Sequence, residues 1–371
     1  MLGELARLFL KLGTVSFGGP AAHIALMHHE VVEKRRWLTN QEFLDLVGAT
    51  NLIPGPNSTE MAIHIGLIRA GWRGLLVAGA CFILPAVVIV FAIAAVYARV
   101  GTLPQVQAVF YGVKPVVIAI VIVALWKLAR TAVRVPWHGA LALAATVAAA
   151  LGMNELALLA ACGVIAGVAG RGLGDALRSA KSFVWLPIGA ATMAPAATAV
   201  SLSGLFFVFL KAGGLLFGSG YVLLAFLRAD LVERLHWLTE AQLVDAISIG
   251  QVTPGPVFTT ATFIGYQVAG ASGAAIATIA IFLPAFVFVA LSGPLLPRLR
   301  RSPFATGALD GVNLASLALM AVVTWQLGRN ALVDVSTVVV ALASLAALQT
   351  RINPTWLIAA GMVVGLLHTR F

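Results

Sequence analysis

The sequence predicts an all-α polytopic membrane protein, built from two homologous repeats of inverted topology that each contain broken or re-entrant helices. Three observations predict it. Of 371 residues, 60% are hydrophobic and only 10% charged, with a mean hydropathy of +0.99, whereas soluble domains carry about 25% charged residues. The pattern Lys11, Gly13, Phe17, Gly18, Trp37, Leu38, Thr39, Asp45, Pro54, Gly55, Pro56, Thr59 returns 200 positions later as Lys211, Gly213, Phe217, Gly218, Trp237, Leu238, Thr239, Asp245, Pro254, Gly255, Pro256, Thr259. The basic residues, finally, sit in short clusters between apolar runs, and their distribution alternates between the copies.

In each copy the N-terminal part consists of pieces too short to span easily, since a spanning helix needs about 20 apolar residues. Residues 4–16 and 20–33 are separated by Phe17-Gly18-Gly19-Pro20, and residues 41–53 and 57–70 by Pro54-Gly55-Pro56. Proline lacks an N–H and disfavours helix in the residue before it, yet suits the first turn of a new helix. Pro-Gly-Pro therefore ends one helix and starts another, and each pair reads as a broken helix or a helical hairpin. Residues 74–98, 105–126, 137–152 and 155–170 then read as spans, the last two short. They repeat near 274–297, 304–325, 331–348 and 354–369. The register survives a one-residue deletion: Leu84-Pro85-Ala86 matches Leu283-Pro284-Ala285, and Trp126, Leu128 and Arg130 match Trp325, Leu327 and Arg329. The chain divides into a first repeat at 1–181, a linking transmembrane segment at 182–200 containing Pro187 and Pro195, and a second repeat at 201–371.

One extra crossing at 182–200 would invert the second copy, and the charges test this. With the N-terminus in the cytoplasm and each broken pair returning to its starting side, fifteen loop Lys and Arg fall inside and five outside, leaving Arg7, Lys11, Lys114 and Lys211 within apolar segments. The loop at Arg99 is poor in charge and its twin at Arg298 rich, while the loop at Lys127 is rich and its twin at Arg329 poor. An excess of Lys and Arg marks cytoplasmic loops, so such swapping is expected of copies that face opposite ways. Duplicated hydrophobic halves interrupted by Pro and Gly at corresponding places are the mark of secondary transporters.

The motifs Ser16-Phe17-Gly18-Gly19-Pro20, Glu33 to Leu38, Asn51-Leu52-Ile53-Pro54-Gly55-Pro56-Asn57-Ser58 and Arg69-Ala70-Gly71-Trp72 resemble those of the chromate ion transporter family. So do Phe217-Gly218-Ser219-Gly220-Tyr221 and Thr253-Pro254-Gly255-Pro256-Val257-Phe258-Thr259 in the second copy. The resemblance spans the full length in its two-domain form. It implies a multi-pass inner (plasma) membrane transporter that exports chromate and confers resistance to it. Two departures touch the presumed site: Ser219 stands where the family usually has glycine, and Asn57-Ser58 follow Pro56 where many relatives have small apolar residues.

A tetrahedral oxyanion needs hydrogen-bond donors and positive potential, and a helix N-terminus supplies both. After Pro56 the expected donors are the amides and side chains of Asn57, Ser58 and Thr59; after Pro256 they are the amides of Val257, Phe258 and Thr259, with the Thr259 hydroxyl. The breaks at Gly18, Gly19, Gly218 and Ser219 let further backbone N–H groups approach, because glycine has no side chain in the way. Lys11 and Lys211 are expected as counter-charges, since an intramembrane charge is a functional candidate by default; the competing reading is that each snorkels to the interface. Lys114 has the uncharged twin Asn313; it either marks an asymmetric function or, the reading preferred here, is a loop edge. Glu60 with His64, four apart in the helix after Pro56, are candidates for coupling proton movement or for structural hydrogen bonding, and the twins Asp45 and Asp245 for carrying protons, pairing with lysines, or capping and solvating a helix start.

Other classes find little support. The net charge of +10 comes from loop clusters, with no basic helix or aromatic motif for nucleic acid. Cys81 and Cys162 lie in separate apolar runs and cannot frame a metal site. His23, His28, His29 and Glu30 resemble metal ligands, but adjacent His28 and His29 cannot share a helix face. No nucleotide loop or nucleophile motif is present, so neither a cofactor nor an enzyme is expected. Arg7 and Lys11 interrupt the first apolar segment, which is therefore expected to remain in the mature chain. The expected partners are chromate or a related oxyanion and the lipid bilayer, with a homodimer left open. Sulfate uptake or exchange, and an anion channel, are the alternatives within transport.

Overall fold

A computed structural model describes residues 1–17, 19–169, 200–216, 222–350 and 352–368. All regular structure among them is helical. The helices are α1 Leu2–Val15, α2 Pro20–His28, α3 Asn40–Thr50, α4 Asn57–Val100, α5 Pro104–Ala132, α6 Pro136–Ala150 and α7 Glu155–Ala169, then α8 Leu202–Leu215, α9 Leu223–Leu227, α10 Glu240–Val252, α11 Thr260–Arg301, α12 Pro303–Ala331, α13 Val335–Gln349 and α14 Pro354–His368. The linking segment and the glycine-rich break of the second copy, with Gly218 and Ser219, lie outside the described residues, as does Gly18.

The local rules act identically in both copies. α2 and α9 each run into a π-helical turn, His29–Lys34 and Arg228–Arg234. Each turn is followed by a left-handed residue, Arg36 (φ 52°) or His236 (φ 51°). The Trp37 amide then donates to Val31 and the Trp237 amide to Leu231, both at 2.8 Å. Thr39 with Glu42, and Thr239 with Gln242, form capping boxes that start α3 and α10.

α4 and α11 are the long elements, and each is two arms. Helical geometry fails at Ala70-Gly71 and again at Ala269-Gly270, where Gly71 (φ 58°) and Gly270 (φ 62°) adopt a backbone that favours glycine. The arms fold back so tightly that a side chain at Gly66 would strike the Gly74 carbonyl, and one at Gly265 the Gly273 carbonyl. The arm before the first kink matches the short piece expected at 57–70. The second arms, α5 and α12 are long and apolar enough to cross a membrane, whereas α7, α8, α13 and α14 are apolar helices of 14 or 15 residues. At 1.5 Å per residue such a helix covers about 22 Å, short of the roughly 30 Å hydrocarbon layer.

The copies exchange partners. α5 packs on α14 of the other copy, and α12 packs on α7 of the first. Both contacts use small residues four apart. The face Ala108 and Gly112 meets Gly365 and Gly361; the face Gly307 and Gly311 meets Ala166 and Cys162. Ascending numbers on one helix meet descending numbers on the other, so both pairs are antiparallel. A Cβ at Gly361 would sit 2.6 Å from the Gly112 carbonyl oxygen, and one at Gly307 2.6 Å from that of Ala166. Without a hydrophobic drive between helices in lipid, close backbone approach of this kind holds them together. The second arm of α4 also meets both arms of α11: Gly79 lies against Phe286 of the second arm, while Phe91 meets Tyr266 and Ala94 accepts from Gln267 at 3.3 Å on the first.

Candidate functional site

Each Pro-Gly-Pro turn is held in the interior by the other copy. The Gly55 amide donates to the Leu216 carbonyl at the end of α8 (2.7 Å), and the Gly255 amide donates to the Ser16 carbonyl at the end of α1 (2.9 Å). Leu216 and Ser16 are both buried. Glycine is required in each turn. At Gly255 (φ 85°) a Cβ would lie 2.7 Å from that of Ala86, and at Gly55 (φ 142°) it would strike the Glu60 carboxyl, with Ala285 alongside. Gly13 and Gly213 bring α1 and α8 down onto the backbone of Phe82 and Ile281.

After Pro56, α4 opens with its N-terminus in this crossing. The Thr59 and Glu60 amides donate to the Pro56 carbonyl (2.7 and 3.0 Å), so the Thr59 amide, unlike its hydroxyl, is not among the free donors expected from the sequence. The amides of Asn57 and Ser58 are not bonded to any described residue. Two helix-terminal N–H groups and the positive end of the helix dipole therefore remain. The Asn57 amide side chain donates to Asn51 Oδ1 at 2.7 Å. His23 is buried between α1 and α4, with Nε2 3.1 Å from the Ser16 carbonyl and Nδ1 3.1 Å from the Ser58 hydroxyl. The carbonyl can only accept, so Nε2 carries the proton, and in the neutral ring Nδ1 accepts from Ser58. Thr59 Oγ1 is fully buried without a partner. So are both Glu60 oxygens and, one turn on, His64 Nε2.

The second copy is poorer in donors. The Thr259 amide donates to the Pro256 carbonyl at 3.0 Å and the Thr259 hydroxyl to the same oxygen at 2.8 Å. The hydroxyl expected to donate is thus committed, leaving the amides of Val257 and Phe258. Thr260 and Ile264 stand where the first copy has Glu60 and His64.

The lysines expected as counter-charges are already paired. Lys11 Nζ lies 2.7 Å from Glu30, which also holds Arg35; Lys211 Nζ lies 2.5 Å from Asp230, which also holds Arg234 at 2.9 Å. Both carboxylates are buried in the π-turns. The sequence carried the signal, since Glu30 and Asp230 are twins at the 200-residue offset, but Glu30 reads there only as one of a histidine-rich group. That group disperses: His28 meets Asn40 at 2.9 Å and His29 meets Glu33 at 2.8 Å. The carboxylate of Glu33 is held below its usual range by the hydrogen bond from His29.

The twin aspartates part company. Asp45 is exposed and accepts from Gln41. Asp245 is buried, 2.9 Å from Lys114 Nζ, and accepts the Tyr97 hydroxyl proton at 2.6 Å. Lys114, read as a loop edge from the sequence, is instead a mid-helix cation of α5, joined across the copies to α10.

An all-helical chain with half-length helices broken at its centre, their free ends converging on buried polar groups, has the architecture of a polytopic membrane transporter. Comparison with known proteins identifies its family. The family profile described as Chromate transporter matches residues 3–168 and 203–366, and the chain belongs to that family. It is 34% identical to the Chromate transport protein of Cupriavidus metallidurans, over 98% of this chain and 92% of that protein. It is 33% identical to the Probable chromate transport protein of Synechococcus elongatus, over 93% and 89%. A Chromate transport protein of Pseudomonas aeruginosa is 29% identical over 98% and 92%. No solved structure matches the chain.

Proposed function

We propose that this protein is a secondary transporter that exports chromate across the inner membrane, through two repeats of inverted topology sharing one central anion site. The observation that carries the reading is the reciprocal tie at the breaks, Gly55 to Leu216 and Gly255 to Ser16, which brings the N-terminal ends of two half-length helices into one crossing. Inverted topology is supported by the antiparallel exchanged pairs, α5 with α14 and α12 with α7.

The Asn57 and Ser58 amides, with the buried Thr59 hydroxyl, are the anion's donors in the first copy; the amides of Val257 and Phe258 complete them from the second. Gly19 lets the chain pass close to the anion, the role also expected of Gly18, Gly218 and Ser219, which lie outside the described residues. The counter-charge comes from the helix ends rather than from Lys11 and Lys211, whose ammonium groups serve Glu30 and Asp230. Glu60 and His64, buried beside the crossing without partners, are the groups available to exchange a proton during the cycle. Direction follows from charge. Moving one charge through 100 mV is worth about 2.3 kcal/mol, so a dianion leaving a negative interior gains roughly twice that, and uptake would have to be driven against it.

Everted membrane vesicles given labelled chromate or sulfate, with and without an imposed potential, test this reading. Accumulation of chromate that rises with an interior-positive potential is expected. Accumulation of sulfate alone, or none that responds to the potential, would refute it.

A further inference from the structure

The twin helices α3 and α10 are not packed alike. α10 is enclosed by α5, α11, α12 and α14, whereas α3, among the described residues, packs extensively only on α4. Leu243 to Gly250 of α10 are all buried. Of their twins on α3, Leu44 is 52% exposed and Asp45 is exposed as well. The contact that encloses α10 is polar at its heart. Asp245 holds Lys114 Nζ at 2.9 Å and the Tyr97 hydroxyl at 2.6 Å, joining α4 and α5 of one copy to α10 of the other. The Tyr97 ring meets those of Phe110 and Phe263, at 5.6 and 5.1 Å between centroids. The equivalent place lacks these groups: with the one-residue deletion, Lys114 corresponds to Asn313 and Tyr97 to Leu296. There, between α12 and the end of α3, lies a cavity of about 210 Å³, lined by Asn313 and Asn51 together with exposed Thr131 and Arg134.

We propose that Lys114, Asp245 and Tyr97 are the latch that closes the outer side of the transporter. The conformation seen is then open to the cytoplasm, and the opposite one forms when the latch parts and α3 closes over α12. In carriers built from repeats, alternating access is a rocking of one repeat against the other. A contact made in one copy and missing at its equivalent therefore marks which side is closed. The sides follow from the loop charges. Arg134 belongs to a basic, cytoplasmic loop, and Arg99, two residues after Tyr97, to a sparse outer one. An ion pair suits a contact with two positions. In a dry interior either charge alone is costly, whereas water admitted on opening rehydrates both. Asn313 offers α3 no such charge, so the closure of α3 is the weaker seal, and the empty carrier rests ready to load from the cytoplasm. The inference rests on transport by inverted repeats, but its test does not use chromate.

The test is labelling by a membrane-impermeant maleimide, in right-side-out and everted vesicles, of chains carrying Cys81→Ala and Cys162→Ala. Asp45→Cys and Ser248→Cys are the reporters, Ser248 lying three residues from Asp245 on one helix face. Asp45→Cys should react from the cytoplasmic side, and Ser248→Cys from neither. Adding Lys114→Met with Asp245→Asn removes the attraction and leaves no buried charge unpaired. Ser248→Cys should then react roughly tenfold faster from the outer side, as a minor state becomes common, and Asp45→Cys more slowly. Should that pair of changes fold poorly, Tyr97→Phe removes one bond only and should speed Ser248→Cys severalfold. Unchanged Ser248→Cys reactivity in a folded variant, or free reaction of Ser248→Cys with the latch intact, would overturn the latch. Asp45→Cys reacting only from the outer side would overturn the assignment of sides. The expected labelling in a chain that moves no chromate would instead overturn chromate transport and leave the latch standing.

Discussion

Asn57→Pro separates the two things Asn57 offers at the start of α4, an amide donor and a side chain. Position 57 is the first helical residue, where no intrahelical bond is lost by removing the N–H and where proline's fixed φ is suited. The preceding residue, Pro56, is already extended (φ −79°, ψ 94°), outside the α region that a following proline disfavours. The substitution should therefore leave α4 in place. A hydrogen bond to a charged group is worth about 1.5–3 kcal/mol. Since roughly 1.4 kcal/mol is tenfold in affinity, chromate should bind on the order of 10- to 100-fold more weakly. Asn57→Ala keeps the amide and loses only the bond to Asn51, so its effect should be several-fold at most. The assay is initial-rate chromate accumulation in everted vesicles at fixed potential, over a concentration series, with protein levels matched. An Asn57→Pro protein with unaltered apparent affinity would show that the α4 N-terminus does not bind the anion.

Lys114→Ala should leave Asp245 buried and unpaired, costing about 3–5 kcal/mol; pairing it with Asp245→Asn should recover much of the melting temperature in detergent. Lys11→Ala should cost less than about 1 kcal/mol, because the Lys11 side chain is 53% exposed and Arg35 still holds Glu30. Gly71→Ala meets open space but a left-handed backbone, and should cost about 1–2 kcal/mol. Gly55→Ala adds a collision with Glu60 to the same kind of strain, and should lower the yield of folded protein far more. Gly112→Leu should force α14 off α5, destabilising by about 1–3 kcal/mol or more; thermal unfolding that matches the unaltered protein would count against that packing.

The outlines of this fold are legible in the sequence wherever the controlling physics is local. Pro54-Gly55-Pro56 stops α3 and starts α4 because proline removes a donor and fixes φ, and the expected breaks fall within a few residues of those observed. Thr39 and Thr239 start their helices for an equally local reason. Lys114 was missed because its partner, Asp245, lies in the other copy, and no spacing rule connects them. Lys11 reads as a counter-charge or a snorkelling group because its partner, Glu30, sits across a break, on a π-turn the sequence does not announce. Likewise, nothing near Thr259 tells whether its hydroxyl faces an anion or turns back to Pro256; only the tightness of that turn decides it.

By itself, then, the sequence determined the membrane character, the duplication, the helix limits and the family, because hydropathy, period and proline chemistry act along the chain. Tertiary structure alone decided that each Pro-Gly-Pro turn is held by the opposite copy, that α5 and α12 exchange partners, and which buried charges neutralise each other. Those outcomes depend on which surfaces come within reach in three dimensions. Glycine faces permit backbone contact and orphaned carboxylates demand a cation, but neither specifies from its own position which residue will answer.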